Sequence, residues 1–418
     1  MKKYFLLLPI LFAIFLQIEF MSFSSYPFLR YEGVFSSKAP PLRTIVLTGP
    51  EAFYNRSDYE TVTKRELEEH EPLPPSEIFE FESKISRLSS DVFSSIFFPW
   101  GIYRSLHTLY GNLFFQPENA SRIATQARAH INLNTEWKYR RFTLLVDGIP
   151  VDAMIVGRPS TLGNKRWMVL SIGITKIFEC LLIDNPEAFH PGHPPGIGPL
   201  QKLLKLTNAN IVLYNYPGMG DTGGSINKST MQKAHEAILR FIEDRVQATE
   251  IIDYGHSFGG ANQADTWSTH TAKLNIKYVL VKDRSPAQLG DAVENLGGRD
   301  KAIANSLFGW QINTVPISDN LKYPEIHIMS VKHIDHPMLF TDAAQIVASE
   351  KGSFAPTYGD MVIPYRASTA MHYLHQPAHN GHKVIIGVPD DHGATITEPT
   401  LVAEAINEAF EGAFSHNR

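Results

Sequence analysis

At 418 residues, with 43% hydrophobic and 19% charged side chains, the chain has the composition of a globular protein with a sizeable core, which excludes a disordered one. A formal net charge of −5 argues against nucleic acid as a partner, because phosphate binding calls for a basic face. The one cysteine, Cys180, excludes an internal disulfide in any compartment; it lies in the apolar stretch Ile177-Phe178-Glu179-Cys180-Leu181-Leu182 and reads as core.

At the start of the chain, Lys2 and Lys3 precede a run from Tyr4 to Phe20 that is almost wholly apolar apart from Gln17 and Glu19. Roughly 15–17 apolar residues stand at the short limit for a membrane span and are long for the core of a signal peptide. Residues 1–22 are therefore expected to form a signal anchor or transmembrane segment, which would localise the protein to a membrane by a single pass. The alternatives are export after signal cleavage near Ser22-Phe23-Ser24, and a buried N-terminal helix. Arg30, Lys38 and Arg43 offset the two lysines, so charge does not set the orientation. Residues 23–135 read as a tether and helical N-terminal region. Its first part is rich in Ser, Pro and charge, and Ser95 to Gln116 is heavily aromatic (Phe97, Phe98, Trp100, Tyr103, Tyr110, Phe114, Phe115). Such a stretch packs as an ordinary helix, lies on a membrane or covers a site mouth.

From about residue 136, strands alternate with helices. Arg141–Val146 and Pro150–Val156 flank Asp147-Gly148, a hairpin signal. Apolar runs at Trp167–Ile172, Ala209–Asn215, Glu250–Tyr254, Lys277–Lys282, Glu325–Val331 and Lys383–Val388 complete eight candidate strands. Helix-length segments between the later ones, such as Ser229–Val246, suit right-handed parallel crossovers. The expected fold class is α/β, with an eight-stranded, mostly parallel sheet and flanking helices over 136–418.

Directly after the fifth strand stands Gly255-His256-Ser257-Phe258-Gly259, followed by a helix-compatible stretch. Strand, sharp turn and helix is the context that exposes a nucleophilic serine, here Ser257. Bulk two residues either side of it would clash with the crossing backbone; Gly255 and Gly259 remove that bulk, and Gly260 lets the helix approach closely. The plainer reading is an ordinary glycine-rich turn. Strand count, hairpin start and this elbow together resemble the α/β-hydrolase superfamily, over roughly residues 136–412.

That resemblance implies a triad in the chain order serine, acid, histidine, and an oxyanion hole of two backbone N–H groups. The acid would fall on Asp335, in Lys332-His333-Ile334-Asp335-His336-Pro337 after the seventh strand. Asp283, after the sixth, competes with it, although Arg284 beside it suits a structural ion pair. The histidine would be His392, in Pro389-Asp390-Asp391-His392-Gly393 after the last strand, whereas His379 and His382 precede that strand. One oxyanion donor would come from Phe258. The other would come from the loop after the third strand, where relatives often carry His-Gly; here the pair is Ile172-Gly173, and Ile174 is the candidate. Gly218 and Gly220, in the turn from Tyr216 to Gly224, read as structural.

His372, His375, His379 and His382 have spacings reminiscent of metal ligands, and His190 and His193 form a pair. Pro377 and Asn380-Gly381 break the first group, and no ordered carboxylate set accompanies it, so no metal is expected. Neither a phosphate loop nor a dinucleotide fingerprint occurs, and no cofactor is implied. The expected function is a membrane-associated serine hydrolase acting on an ester or thioester, with a small-molecule or lipid-like acyl substrate. The segments 284–325 and 337–382 would build its lid. Peptidase or acyltransferase chemistry would use the same triad. The opposing reading is a catalytically inactive α/β-hydrolase-fold binding or interaction protein anchored to the membrane. The anchor and long N-terminal region also resemble a family of chlamydial membrane proteins with a hydrolase-like domain, which implies no established substrate.

Overall fold

The computed structural model describes residues 78–81, 107, 109–111, 136–161, 163–174, 176–181, 200–346, 355–376, 382–394 and 396–412. The expected anchor over 1–22 and nearly all of the tether lie outside them. Among the described residues no helix is long and apolar enough to cross a membrane. Of the aromatic stretch, His107 and Tyr110 are described, and both are buried against Trp310: the His107 ring stacks on it at 4.7 Å and Tyr110 tilts against it at 6.4 Å. This part packs into the body of the domain.

β1 (Ile78–Phe81) pairs parallel with β2 (Lys138–Val146) at one edge of the sheet. β2 turns through Asp147 and Gly148, both with positive φ (49° and 78°), into β3 (Ile149–Gly157). Positive φ at both central residues matches the right-handed twist of a two-residue hairpin, which is why Asp-Gly serves there. β4 (Arg166–Ser171), β5 (Asn210–Tyr214), β6 (Glu250–His256), β7 (Lys277–Asp283), β8 (Glu325–Lys332), β9 (Met338–Phe340), β10 (Thr357–Tyr358) and β11 (Lys383–Val388) follow. The eight expected strands lie in the spatial order β2-β3-β5-β4-β6-β7-β8-β11, with β3 antiparallel to both neighbours and the rest parallel. Strand order, a single reversed strand and the elbow after the fifth strand make this the α/β-hydrolase architecture. Three short strands add to it: β1, β9 on the free edge of β11, and β10 on the end of β8.

The helices cover both faces. α1 (Leu200–Thr207) carries β4 to β5 in one direction, and α2 (Lys228–Arg240) carries β5 back across β4 to β6. Right-handed crossovers in opposite directions put these helices on opposite faces. α3 (Phe258–Trp267) packs on α2, and the C-terminal α8 (Thr400–Glu411) packs on α1. Central strands are consequently buried on both sides and read as continuous apolar runs: every residue of β5 is buried, as is Ile251 to Gly255 of β6. After β7 the chain adds α4 (Leu289–Gly297), α5 (Arg299–Leu307) and α6 (Thr314–Asn320), and α7 (Thr369–His375) precedes β11. Because the chain changes direction between β4 and β6, the loops leaving their carboxyl ends part to opposite sides and open a crevice. Ligands of open α/β sheets bind at such a point.

Candidate active site

β6 ends at His256 and α3 begins at Phe258, so Ser257 alone makes the corner. Its φ of 54° and ψ of −124° lie where a side chain is rarely found, a conformation that costs on the order of 1–3 kcal/mol. Surrounding contacts hold it there. The Ser257 N–H donates to the Asp283 carbonyl at 2.8 Å, and the Ser257 carbonyl accepts from the Gly260 N–H at 3.0 Å. The glycines are demanded by close approach. A Cβ on Gly255 would lie 2.5 Å from Gly260 Cα, one on Gly259 1.9 Å from the Ser171 carbonyl oxygen, and one on Gly260 1.9 Å from Ser285 Oγ. Gly218 and Gly220, with φ of 82° and 57°, turn the chain after β5 against Ile226 and Asn215.

His392 reaches the serine from the loop after β11. Its Nε2 is 2.8 Å from Ser257 Oγ, and its Nδ1 is 2.8 Å from Asp360 Oδ2. Asp360 is buried, and its other oxygen accepts the N–H groups of Val362 at 2.9 Å and Ile363 at 2.8 Å. With the carboxylate accepting from Nδ1–H, the Nε2 lone pair is left facing the hydroxyl.

The carboxylate that faces His392 is therefore not the expected Asp335. That residue is exposed in the turn after β8, and the place opposite His392 Nδ1 belongs to Asp360. The reason is topological. After Lys332 the chain leaves the site and lays β9 along the free edge of β11. It returns as β10, antiparallel to Val331 and Lys332, with the Gly359 N–H donating to the Ser330 carbonyl at 2.9 Å. Asp360 follows at once, so it sits at the carboxyl end of β8 in space while all of 333–356 intervenes in sequence. A two-residue strand is too short to carry a period, and Tyr358-Gly359-Asp360 gave little else to find it by. The other competitor, Asp283, is engaged elsewhere: both its oxygens face the Arg284 guanidinium at 2.7 and 2.8 Å, and Tyr254 donates to it at 3.0 Å. Burial pushes its carboxyl up, but the Arg284 charge and hydrogen bonds outweigh this and hold it below the usual carboxylate range.

Three successive carbonyls of the histidine loop are clamped by side chains from three other loops and strand ends. Arg284 donates to Asp391, His256 Nε2 to His392 at 2.9 Å, and Lys176 Nζ to Gly393 at 3.0 Å. His256 is brought down to about 3, mainly by burial and further by the charges of Arg284, Lys176 and His392, although Asp283 opposes them. It is neutral at working pH. His256 is plain in the sequence, but its role depends on a loop 136 residues away.

Phe258 is the first residue of α3, and the first amides of a helix have no acceptor within it and favour negative charge. The loop after β4 passes against Ser257, since a Cβ on Gly173 would lie 3.3 Å from Ser257 Cβ. The Tyr216 hydroxyl, 2.6 Å from Ser171 Oγ, donates to the Ile172 carbonyl at 2.8 Å and fixes this loop. Ile174, Phe258, Ser257 and His392 line one cavity of about 390 Å³, a size that suits a small molecule. Its walls are apolar, with Leu289, Ala292, Val293 and Leu296 from α4 facing Val362 and Ile363, and Lys176 and Lys301 are its lysines. These walls come from 284–325 and 337–382. Among the described residues no group of three or more His, Cys, Asp and Glu could hold a metal ion. His375, on α7, pairs with the Tyr365 hydroxyl at 2.9 Å; His190, His193 and His379 lie outside the described residues.

Residues 96–357 match the sequence model described as Chlamydia CHLPS protein (DUF818). No curated protein matches the chain. Among solved structures, the esterase Pf2001 of Pyrococcus furiosus is similar at 12% identity and a TM-score of 0.44, over 67% of this chain and 92% of that one. An alpha-beta hydrolase of Vibrio vulnificus is similar at 11% identity and a TM-score of 0.43, over 82% of this chain and 98% of that one. Est1E of Butyrivibrio proteoclasticus, with ferulic acid bound, is similar at 15% identity and a TM-score of 0.39, over 64% and 96% respectively.

Proposed function

The chain belongs to the Chlamydia CHLPS protein family (DUF818), and we propose that this member is a serine hydrolase acting on esters or thioesters of an apolar acyl group. One observation carries the reading: His392 bridges a strained, pocket-facing Ser257 and a buried Asp360 with 2.8 Å contacts on both ring nitrogens. Ser257 Oγ attacks the substrate carbonyl while His392 Nε2 takes its proton as general base. The Phe258 and Ile174 amides hold the developing oxyanion, and Asp360 stabilises the imidazolium. His392 then returns the proton to the departing alcohol or thiol, leaving an acyl-Ser257 ester. Water, activated by the same histidine, releases the acid and restores the serine. The apolar walls over Ser257 support an acyl chain as the group bound. Membrane association is part of the proposal, and it rests on the apolar run from Tyr4 to Phe20.

A fluorophosphonate probe tests both parts. The full-length protein should be labelled in the membrane fraction, Ser257→Ala not at all, and His392→Ala far more slowly. Absence of labelling, or equal labelling of all three, would leave only a binding role for the fold. A label that stays in the membrane fraction after residues 1–24 are deleted would remove the proposed anchor.

A further inference from the structure

His256 lines the cavity and has one ring nitrogen committed to the histidine loop, the other lying beside Gly173. A carbonyl can only accept, so Nε2 carries the proton in the 2.9 Å contact with His392 O. Because burial keeps the ring neutral, Nδ1 is left with a bare lone pair. Among the described residues Nδ1 meets no donor, and His256 lines the cavity with Ser257. Its position is defined by Gly173: the point where a Cβ would stand on that residue is 3.3 Å from His256 Nδ1 and 3.3 Å from Ser257 Cβ. Glycine puts only a hydrogen there, where any other residue would press a carbon against both groups. A fixed acceptor thus flanks the nucleophile, in surroundings that otherwise offer mostly hydrocarbon. A plain acyl ester filling the cavity would strip water from this nitrogen and give nothing back, whereas a substrate with a donor would satisfy it. Sites built around a polar partner discriminate in this way against analogues that lack it.

We propose that His256 Nδ1 accepts a hydrogen bond from a hydroxyl or N–H next to the scissile carbonyl, so that the preferred substrates are esters or thioesters carrying such a donor. This rests on Ser257 as the nucleophile and names the substrate class of the same site. The donor belongs to the acyl part, as in a hydroxyacyl ester, or to the alcohol part, as in a monoester of a polyol.

The test compares kcat/KM of the full-length protein on matched pairs. For the acyl side these are p-nitrophenyl octanoate against its α-hydroxy and β-hydroxy analogues; for the alcohol side, propyl octanoate against glyceryl monooctanoate. At least one hydroxylated member should exceed its plain partner about tenfold, and His256→Leu should bring that ratio to about one. Lys176→Met loosens the same loop without touching Nδ1, so it should slow both members of a pair alike and keep the ratio. Ratios near one in the wild type, or a preference that survives His256→Leu, overturn the proposal. Should His256→Leu not fold, the wild-type ratios and His256→Gln decide it. Fluorophosphonate labelling of the wild type separates this failure from failure of the nucleophile itself.

Discussion

Ser257 and Asp360 stand at opposite ends of one hydrogen-bonded chain, yet the backbone around them is held by different kinds of contact. The serine corner lies in the middle of the sheet, where β4, β6 and α3 approach so closely that three glycines have no room for a methyl group. The acid corner lies at the end of a long excursion. It is held by a two-residue strand on β8 and by two N–H groups that fold back onto the carboxylate. Close packing fixes the first, and directional hydrogen bonds fix the second. The Ser257 side should therefore be intolerant of volume, and the Asp360 side intolerant of lost polarity.

The largest effect is expected where polarity is removed from the acid. Asp360→Asn keeps the volume but no longer holds the His392 tautomer, and kcat on a p-nitrophenyl ester should fall by about 10⁴-fold. Asp335→Asn, at an exposed position, should leave kcat unchanged; the reverse pattern would return the acid to the turn after β8.

A smaller effect is expected from volume. Gly259→Ala drives a methyl group into the Ser171 carbonyl, and should destabilise the protein by about 3 kcal/mol in urea unfolding. Gly393→Ala, in the histidine loop, meets nothing within 4 Å and should stay within about 0.5 kcal/mol of the wild type. Equal losses would erase the distinction between the two sides.

The smallest effect is a slope. Burial chiefly holds His256 at the serine corner neutral, brought to about 3, and likewise His327 on β8, brought to about 4. An unfolded chain takes up a proton on each below about pH 6.5. The unfolded state then binds more protons, so stability present above that pH is lost as pH falls from about 6.5 toward 4 and 3. His256→Gln and His327→Gln should each make the fall of the urea midpoint between pH 6.5 and 5 shallower than in the wild type. Unchanged slopes in both would mean the rings are not held neutral.

Much of this was legible in the sequence where the information is local. The hairpin announced itself as Asp147-Gly148 because a two-residue turn needs positive φ at both positions. The serine corner announced itself because the residues it demands fall within ten consecutive positions, although two of the contacts that demand them, with Ser171 and Ser285, are remote. His392 could be placed by chain order, since its loop follows β11 directly. Asp360 could not, because the residues that bring it to His392 are the edge pairs of β10 with β8, and pairing between distant segments leaves no period to read. The support of the loop after β4 was hidden for the same reason: the Ile172 carbonyl is held by Tyr216, two residues past the end of β5.

By itself, then, the sequence determined the α/β sheet, the corner at Ser257 and the glycines that corner needs, because each leaves its residue types in a short, contiguous pattern. Only the tertiary structure decided which carboxylate faces His392, which side chains clamp its loop, and which nitrogen of His256 holds that loop. Those choices depend on hydrogen bonds between strand ends that fold together from remote parts of the chain, and hydrogen bonds are decided by direction and distance in space.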